Sequence, residues 1–152
     1  MSLERDLQSD LAITVLTANT IDSEAAQQGD TVDTFGFRNL TFAYWFGTDL
    51  ADGDVVELGA QESDDGVTWT ACDDDQLLPY RRSQDDDMAL VNPANGYIQT
   101  MGVISAARYV RPTVNCTALA SQSITLNIGA IMVPEIREFT AWDPDVASDG
   151  NP

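Results

Sequence analysis

Val55-Val56-Glu57-Leu58-Gly59-Ala60-Gln61-Glu62-Ser63-Asp64-Asp65-Gly66-Val67-Thr68-Trp69-Thr70-Ala71-Cys72 decides the fold class. From Val55 to Glu62 the residues alternate, with Val56, Leu58 and Ala60 on one side, which is the period of a half-buried strand. Ser63-Asp64-Asp65-Gly66 follows as a hairpin turn, its Asp-Gly supplying a positive φ at little cost. Val67 to Cys72 then returns antiparallel. Upstream, Asn39 to Gly47 alternates more strongly: Leu40, Phe42, Tyr44 and Phe46 face one way, and Thr41, Ala43 and Trp45 the other.

The pattern repeats outward. Leu11 to Ala18, Tyr97 to Val103, Ala107 to Cys116 and Ser123 to Val133 also read as strands, giving about seven in all. Within Ala107 to Cys116, Tyr109 and Arg111 point one way and Arg108, Val110 and Val114 the other, so the two arginines are expected on opposite faces. Pro112 is expected at an edge, at a bulge or near the strand's end, because it cannot donate to a ladder. Asn19 to Asp30 is polar, with a helical turn expected around Ser23–Gln27. Asp73 to Asn95 is a long break that must be functional or hold short elements of its own. The expected architecture is all-β: an antiparallel β-sandwich or jelly-roll-like domain over 11–133. An N-terminal arm of residues 1–10 and an acidic C-terminal tail of 134–152 extend from it.

The chain has 152 residues, enough for one domain with a sizeable core. Seven basic and 25 acidic residues give a net charge of −18, and every basic residue is Arg. Nothing in such a chain replaces phosphate counterions, so nucleic acid is not an expected partner, and neither is an anionic membrane. The N-terminus lacks the pattern of a secretory signal, and no apolar run reaches the length of a membrane span. The expectation is a soluble protein made in the cytoplasm.

Reactive groups are scarce. The chain has no His and no Lys, which removes the commonest general base and Schiff-base chemistry. A Gly-x-Ser-x-Gly elbow and a phosphate-cradling glycine loop are missing too. Cys72 and Cys116 do not make a zinc pattern and are expected as buried or half-buried free thiols, with a late pairing left open. The acid is skewed to Asp, with 19 Asp against 6 Glu, which suits turns and loops better than helices. Asp49, Asp52 and Asp54, or the triplets Asp73–Asp75 and Asp85–Asp87, offer oxygen ligands for Ca²⁺, but solvated loop charge explains them more simply. Trp45, Trp69 and Trp142, with Tyr44, Tyr80, Tyr97 and Tyr109, offer a sugar-stacking platform; a core or subunit-contact role for Trp45 or Trp69 is the simpler reading. Seven arginines in so acidic a chain point to bidentate Arg–carboxylate pairs, one of them at an interface.

Three stretches together resemble a known family: Gln61-Glu62-Ser63-Asp64-Asp65-Gly66-Val67-Thr68-Trp69-Thr70, Ala107-Arg108-Tyr109-Val110-Arg111-Pro112-Thr113-Val114, and Asp33-Thr34-Phe35-Gly36-Phe37 before an alternating strand. They resemble small virion proteins of tailed bacteriophages encoded beside the capsid genes, some of them capsid decoration (cement) proteins. The resemblance covers roughly residues 11–133; the Asp triplets and the tail fall outside its pattern. It implies a β-sandwich bound to the outer surface of a phage head, non-enzymatic and without cofactor or metal. The major capsid protein is the implied partner, and a homo-oligomer, favouring a trimer, the implied assembly. Interface candidates are Arg108, Tyr109, Arg111, Phe139 and Trp142. The alternative is a tail or head-fibre module recognising host surface glycan; a Ca²⁺-dependent lectin-like or glycosidase domain ranks third.

Overall fold

The computed structural model describes residues 12–47, 51, 53–79, 89–91, 98–120 and 123–134. Eleven strands follow in chain order: β1 (Ala12–Ile21), β2 (Ala26–Gln28), β3 (Val32–Asp33), β4 (Phe37–Phe46), β5 (Val55–Ser63), β6 (Thr70–Ala71), β7 (Leu77–Pro79), β8 (Ala89–Val91), β9 (Ile98–Val103), β10 (Tyr109–Ala118) and β11 (Ile124–Pro134). A 3-10 turn at Asp74–Gln76 is the sole helical element among the described residues. No helix there is long and apolar enough to cross a membrane. The expected arm 1–10 and the expected tail 134–152, apart from Pro134 at the end of β11, lie outside the described residues.

Two antiparallel sheets pack together as a sandwich. The first runs β1-β11-β4-β9-β7 and the second β2-β10-β5-β6, with β3 also on β10 and β8 also on β5. The chain crosses from one sheet to the other at most connections, so strands adjacent in sequence face each other across the core. The inward residues are those the alternation picked: Leu40, Phe42, Tyr44 and Phe46 from β4, Val56, Leu58 and Ala60 from β5, and Ile124, Leu126, Ile128 and Ala130 from β11. Val110, Val114 and Cys116 join them from β10, and Met101 from β9. Each large apolar side chain buried this way contributes roughly 1.5–3 kcal/mol. Tyr44 keeps its polar end paired across the core, its hydroxyl donating to the Gly59 carbonyl at 3.3 Å. Burial pushes that phenol well above the usual tyrosine range.

Several local expectations change. The helical turn around Ser23–Gln27 is instead a bend leading into β2, which pairs Ala26–Gln28 with Thr113–Asn115 of β10. Tertiary pairing overrides a weak helix preference there. Leu11 to Ala18 lengthens into β1, which continues to Ile21 because its whole length pairs with β11. The strand returning from the hairpin shrinks to Thr70–Ala71, since Val67 and Thr68 belong to the turn. The long break carries the 3-10 turn, β7 and β8, too short to show a period.

Pro112 sits in the middle of β10, opposite Ala60. The Ala60 carbonyl accepts from Cys72 on the far side of β5, so the Ala60–Pro112 pair shares no hydrogen bond. The proline nitrogen therefore points to the other flank of β10, where its own carbonyl accepts from Gly29 at 2.8 Å. That flank is where the covering strand breaks between β2 and β3, so no ladder bond is lost. Pro112 marks an interruption in its neighbour and not in its own strand.

Candidate interaction surface

The three stretches quoted for the family resemblance meet at one end of the second sheet. Tyr109 pairs with Asp33 of β3 on one side and with Ser63 of β5 on the other. The outward residues of β10 are thus flanked by the 33–37 turn and the 63–69 turn. Each turn is built from its own side chains.

Asp33 Oδ1 accepts from the Phe35 N–H at 3.0 Å, and the Phe37 N–H donates to the Thr34 carbonyl at 3.0 Å. Gly36 stands at φ +83°, the left-handed value that the third position of a type II turn requires. The turn is fastened to the start of β10, with the Thr34 N–H donating to the Arg108 carbonyl at 2.8 Å. Its tip presents Phe35, 75% exposed.

In the second turn the Asp65 carboxylate accepts from the Val67 and Thr68 N–H groups at 2.8 and 2.7 Å and from the Ser63 hydroxyl at 2.9 Å. Those donors, the Thr68 and Val67 amides foremost, hold its carboxyl far below the usual range. Gly66 stands at φ +73° beneath the Tyr109 ring, which approaches within 3.6 Å of where a Cβ would lie. The tip presents Val67, 80% exposed.

Between the tips lie the arginines. Arg108 forms a bidentate pair with Asp33: Nη2 to Oδ2 at 2.8 Å and Nε to each oxygen at 3.2 Å. Its guanidinium carbon also lies 5.6 Å from the Phe35 ring centroid and 5.1 Å from that of Tyr109. The hydrogen-bonded guanidinium holds the Asp33 carboxyl below its usual range. Arg111 donates from Nε to Gln61 Oε1 at 2.9 Å and stacks on Trp69, 4.1 Å from its ring centroid. The expected placement on opposite faces changes: Arg108 precedes β10, where strand alternation does not apply, and its head folds over Tyr109. Among the described residues Arg108 makes the expected kind of Arg–carboxylate pair, with Asp33, while Arg111 takes an amide and a ring.

Arg108, Tyr109 and Arg111 are thus brought together; Phe139 and Trp142 lie outside the described residues. Sequence reasoning did not single out Phe35 and Val67 as contact residues. The signal was available for Phe35, since Asp33-Thr34-Phe35-Gly36 is an Asx turn with glycine at its left-handed position. Among the described residues the aromatic platform is not assembled: Tyr44 is core, Trp45 lies on the outer side of the first sheet and Trp69 on that of the second. Tyr80, Tyr97 and Trp142 lie outside the described residues.

Of the acidic candidates, Asp54 is occupied by local hydrogen bonds. Asp54, fully buried, accepts from the Ala51 N–H at 2.8 Å and the Ala120 N–H at 2.7 Å, tying two loops. Glu62 accepts from the Ser105 hydroxyl and from the Gln76 amide. Gln76 Oε1 in turn caps the 3-10 turn through the Asp73 N–H. Glu62, Asp64 and Asp65 line a shallow cleft with Thr68 and Thr70. Among the described residues, no three His, Cys, Asp or Glu side chains gather as a metal site would need. Asp49, Asp52 and Asp85–Asp87 lie outside the described residues. Both cysteines are buried free thiols.

The fold and this surface define an antiparallel β-sandwich protein that gathers Phe35, Trp69, Tyr109, Arg108 and Arg111 at one end of one sheet. Among solved structures it is similar to PBSX exported protein XepA, at 20% identity and a TM-score of 0.49 over 82% of this chain. The chain spans 38% of that protein's length, and a likeness of this extent says nothing about role. No protein-family model and no curated protein matches the chain.

Proposed function

We propose that this chain is a non-enzymatic structural protein of a bacteriophage particle: a decoration protein that binds the major capsid protein on the outside of the head. The observation that carries the reading is the convergence just described. Three stretches bonded across up to 75 positions of sequence, each part of the resemblance, form one projecting end tipped by Phe35 and Val67. Such a surface suits protein contact. Apolar tips give area to bury, and stacked, hydrogen-bonded arginines hold rigid geometry before binding, which limits the entropy lost. Repetition in a homo-oligomer would multiply a modest single-site affinity. The charge of −18 favours the exterior, because packaged DNA repels it.

Quantifying the chain in purified mature heads tests this. The expected result is a fixed ratio to the major capsid protein, of comparable copy number. Absence from heads overturns it, and a few copies per particle would favour the tail or head-fibre module for host glycan. Replacing Phe35→Ser together with Val67→Ser is expected to lower recovery on heads while the isolated protein melts as before.

A further inference from the structure

The outer face of the first sheet is unlike the rest of the molecule. Its outward positions from Thr41 to Trp45 on β4, from Asn127 to Ile131 on β11, and from Ile98 to Gly102 on β9 carry no Asp, Glu or Arg. This absence stands in a chain with 25 acidic residues. The second sheet has charges on its outer side, with Glu57 and Arg111 on paired strands.

The neutral face is also smooth and partly apolar. Trp45 lies across Gly129, whose Cβ, if present, would be 3.3 Å from the ring. Leu78 lies against Gly102 in the same way, at 3.5 Å. Ile98, directly opposite Trp45 in register, is 61% exposed, and Leu78 is 42% exposed. The glycines thus let large side chains lie flat, leaving a level surface with apolar groups in view of solvent.

We propose that this face binds a second copy of the chain, face to face about a twofold axis. The charge distribution selects the partner. Two copies at −18 repel, and at a self-complementary contact a carboxylate near the twofold axis would sit beside its own symmetry mate. A face free of charges is where two such bodies can meet without that repulsion, and desolvating Trp45, Ile98 and Leu78 supplies the attraction. A twofold pairing gives a dimer, unlike the trimer that the family resemblance favours. It stands independently of the capsid role, which uses the other sheet.

Sedimentation equilibrium of the full chain tests it. The expected result is a concentration-dependent dimer of the 16.5 kDa chain. Because the contact is neutral and the repulsion global, association is expected to strengthen as salt rises from about 0.05 M to about 0.5 M, when an ionic contact would weaken. Ile98→Glu and, separately, Thr100→Glu are expected to weaken association by about tenfold or more. Thr31→Glu adds the same charge at an exposed site outside this face and is expected to leave association nearly unchanged. Melting curves confirm that each variant folds. A monomer at all concentrations, a trimer, salt-weakened association, or equal effects of Ile98→Glu and Thr31→Glu would overturn the proposal. A monomer would also be the result if another part of the chain, or a different protein, were the natural occupant.

Discussion

The Arg111 guanidinium lies 4.1 Å from the centre of the Trp69 ring, joining β10 to the segment that leaves the 63–69 turn. The same side chain donates to Gln61 one strand away. A half-buried cation–π contact is worth about 0.5–2 kcal/mol and a neutral hydrogen-bond partner about 1 kcal/mol. Arg111→Ala is therefore expected to lower unfolding free energy by about 1–3 kcal/mol. A double-mutant cycle with Trp69→Leu should return a coupling of about 0.5–1 kcal/mol, read from urea midpoints. A coupling of zero would mean the stack is decorative.

Acid should loosen the same end of the molecule. Asp65 and Asp33 both have folded-state carboxyls held below their usual range, Asp65 chiefly by the Thr68 and Val67 amides and Asp33 chiefly by Arg108. A depressed folded pKa means the stabilisation is complete above the unfolded value, near pH 4, and is lost as pH falls through the folded value. Urea midpoints should therefore fall as pH drops below about 4. Asp65→Asn should start lower at neutral pH and fall less steeply. Equal slopes for wild type and variant would count against this account.

Gly66 separates backbone strain from lack of room. A Cβ there would meet the Tyr109 ring at 3.6 Å, an ordinary contact, so space is not limiting. The φ of +73° is limiting, and a non-glycine residue there costs about 1–2 kcal/mol. Gly66→Ala should destabilise by that amount, whereas Gly66→Asn, which tolerates the left-handed region better, should recover part of it in thermal melts.

At the other end of the sandwich, Asp54→Ala is expected to be more severe than any surface substitution. It leaves the Ala51 and Ala120 N–H groups without their acceptor, at about 1–3 kcal/mol for each donor that water cannot reach. Hydrogen exchange at those two amides should accelerate beyond the global change.

The cysteines should be silent in the native state. Burial, aided by Glu62 and Asp73, pushes the Cys72 thiol up to about 11, and burial also raises Cys116. A colourimetric thiol reagent near neutral pH should find almost no reactive thiol in folded protein and two in denaturant. Rapid native reaction would contradict the buried placement.

Much of the core could be read from the chain because alternation over ten-residue strands leaves one side to bury. Leu40, Phe42, Tyr44 and Phe46 needed nothing beyond period two. The short strands were illegible for the converse reason: β2, β3, β7 and β8 hold two or three residues each and exist through a partner strand remote in sequence. Pro112 was legible as a break in a ladder, but which flank broke depended on where β2 and β3 end. At the candidate surface, Arg108, Tyr109 and Arg111 stood out by type. Their stacking on Phe35, Tyr109 and Trp69 did not, because it is set by turns that only pairing brings together.

The pairing of β1 with β11 has a consequence for synthesis. Ala12 lies beside Met132, so β1 leaves the ribosome more than a hundred residues ahead of β11 and waits for it before this ladder can form. At about 5–20 residues per second, that delay is on the order of ten seconds. During it, β4 also lacks β11, and the aromatic side of β4 has an unfinished sheet behind it. Nascent chains stalled before residue 124 should therefore be captured by chaperones and cut readily by protease, and release past residue 134 should end both together.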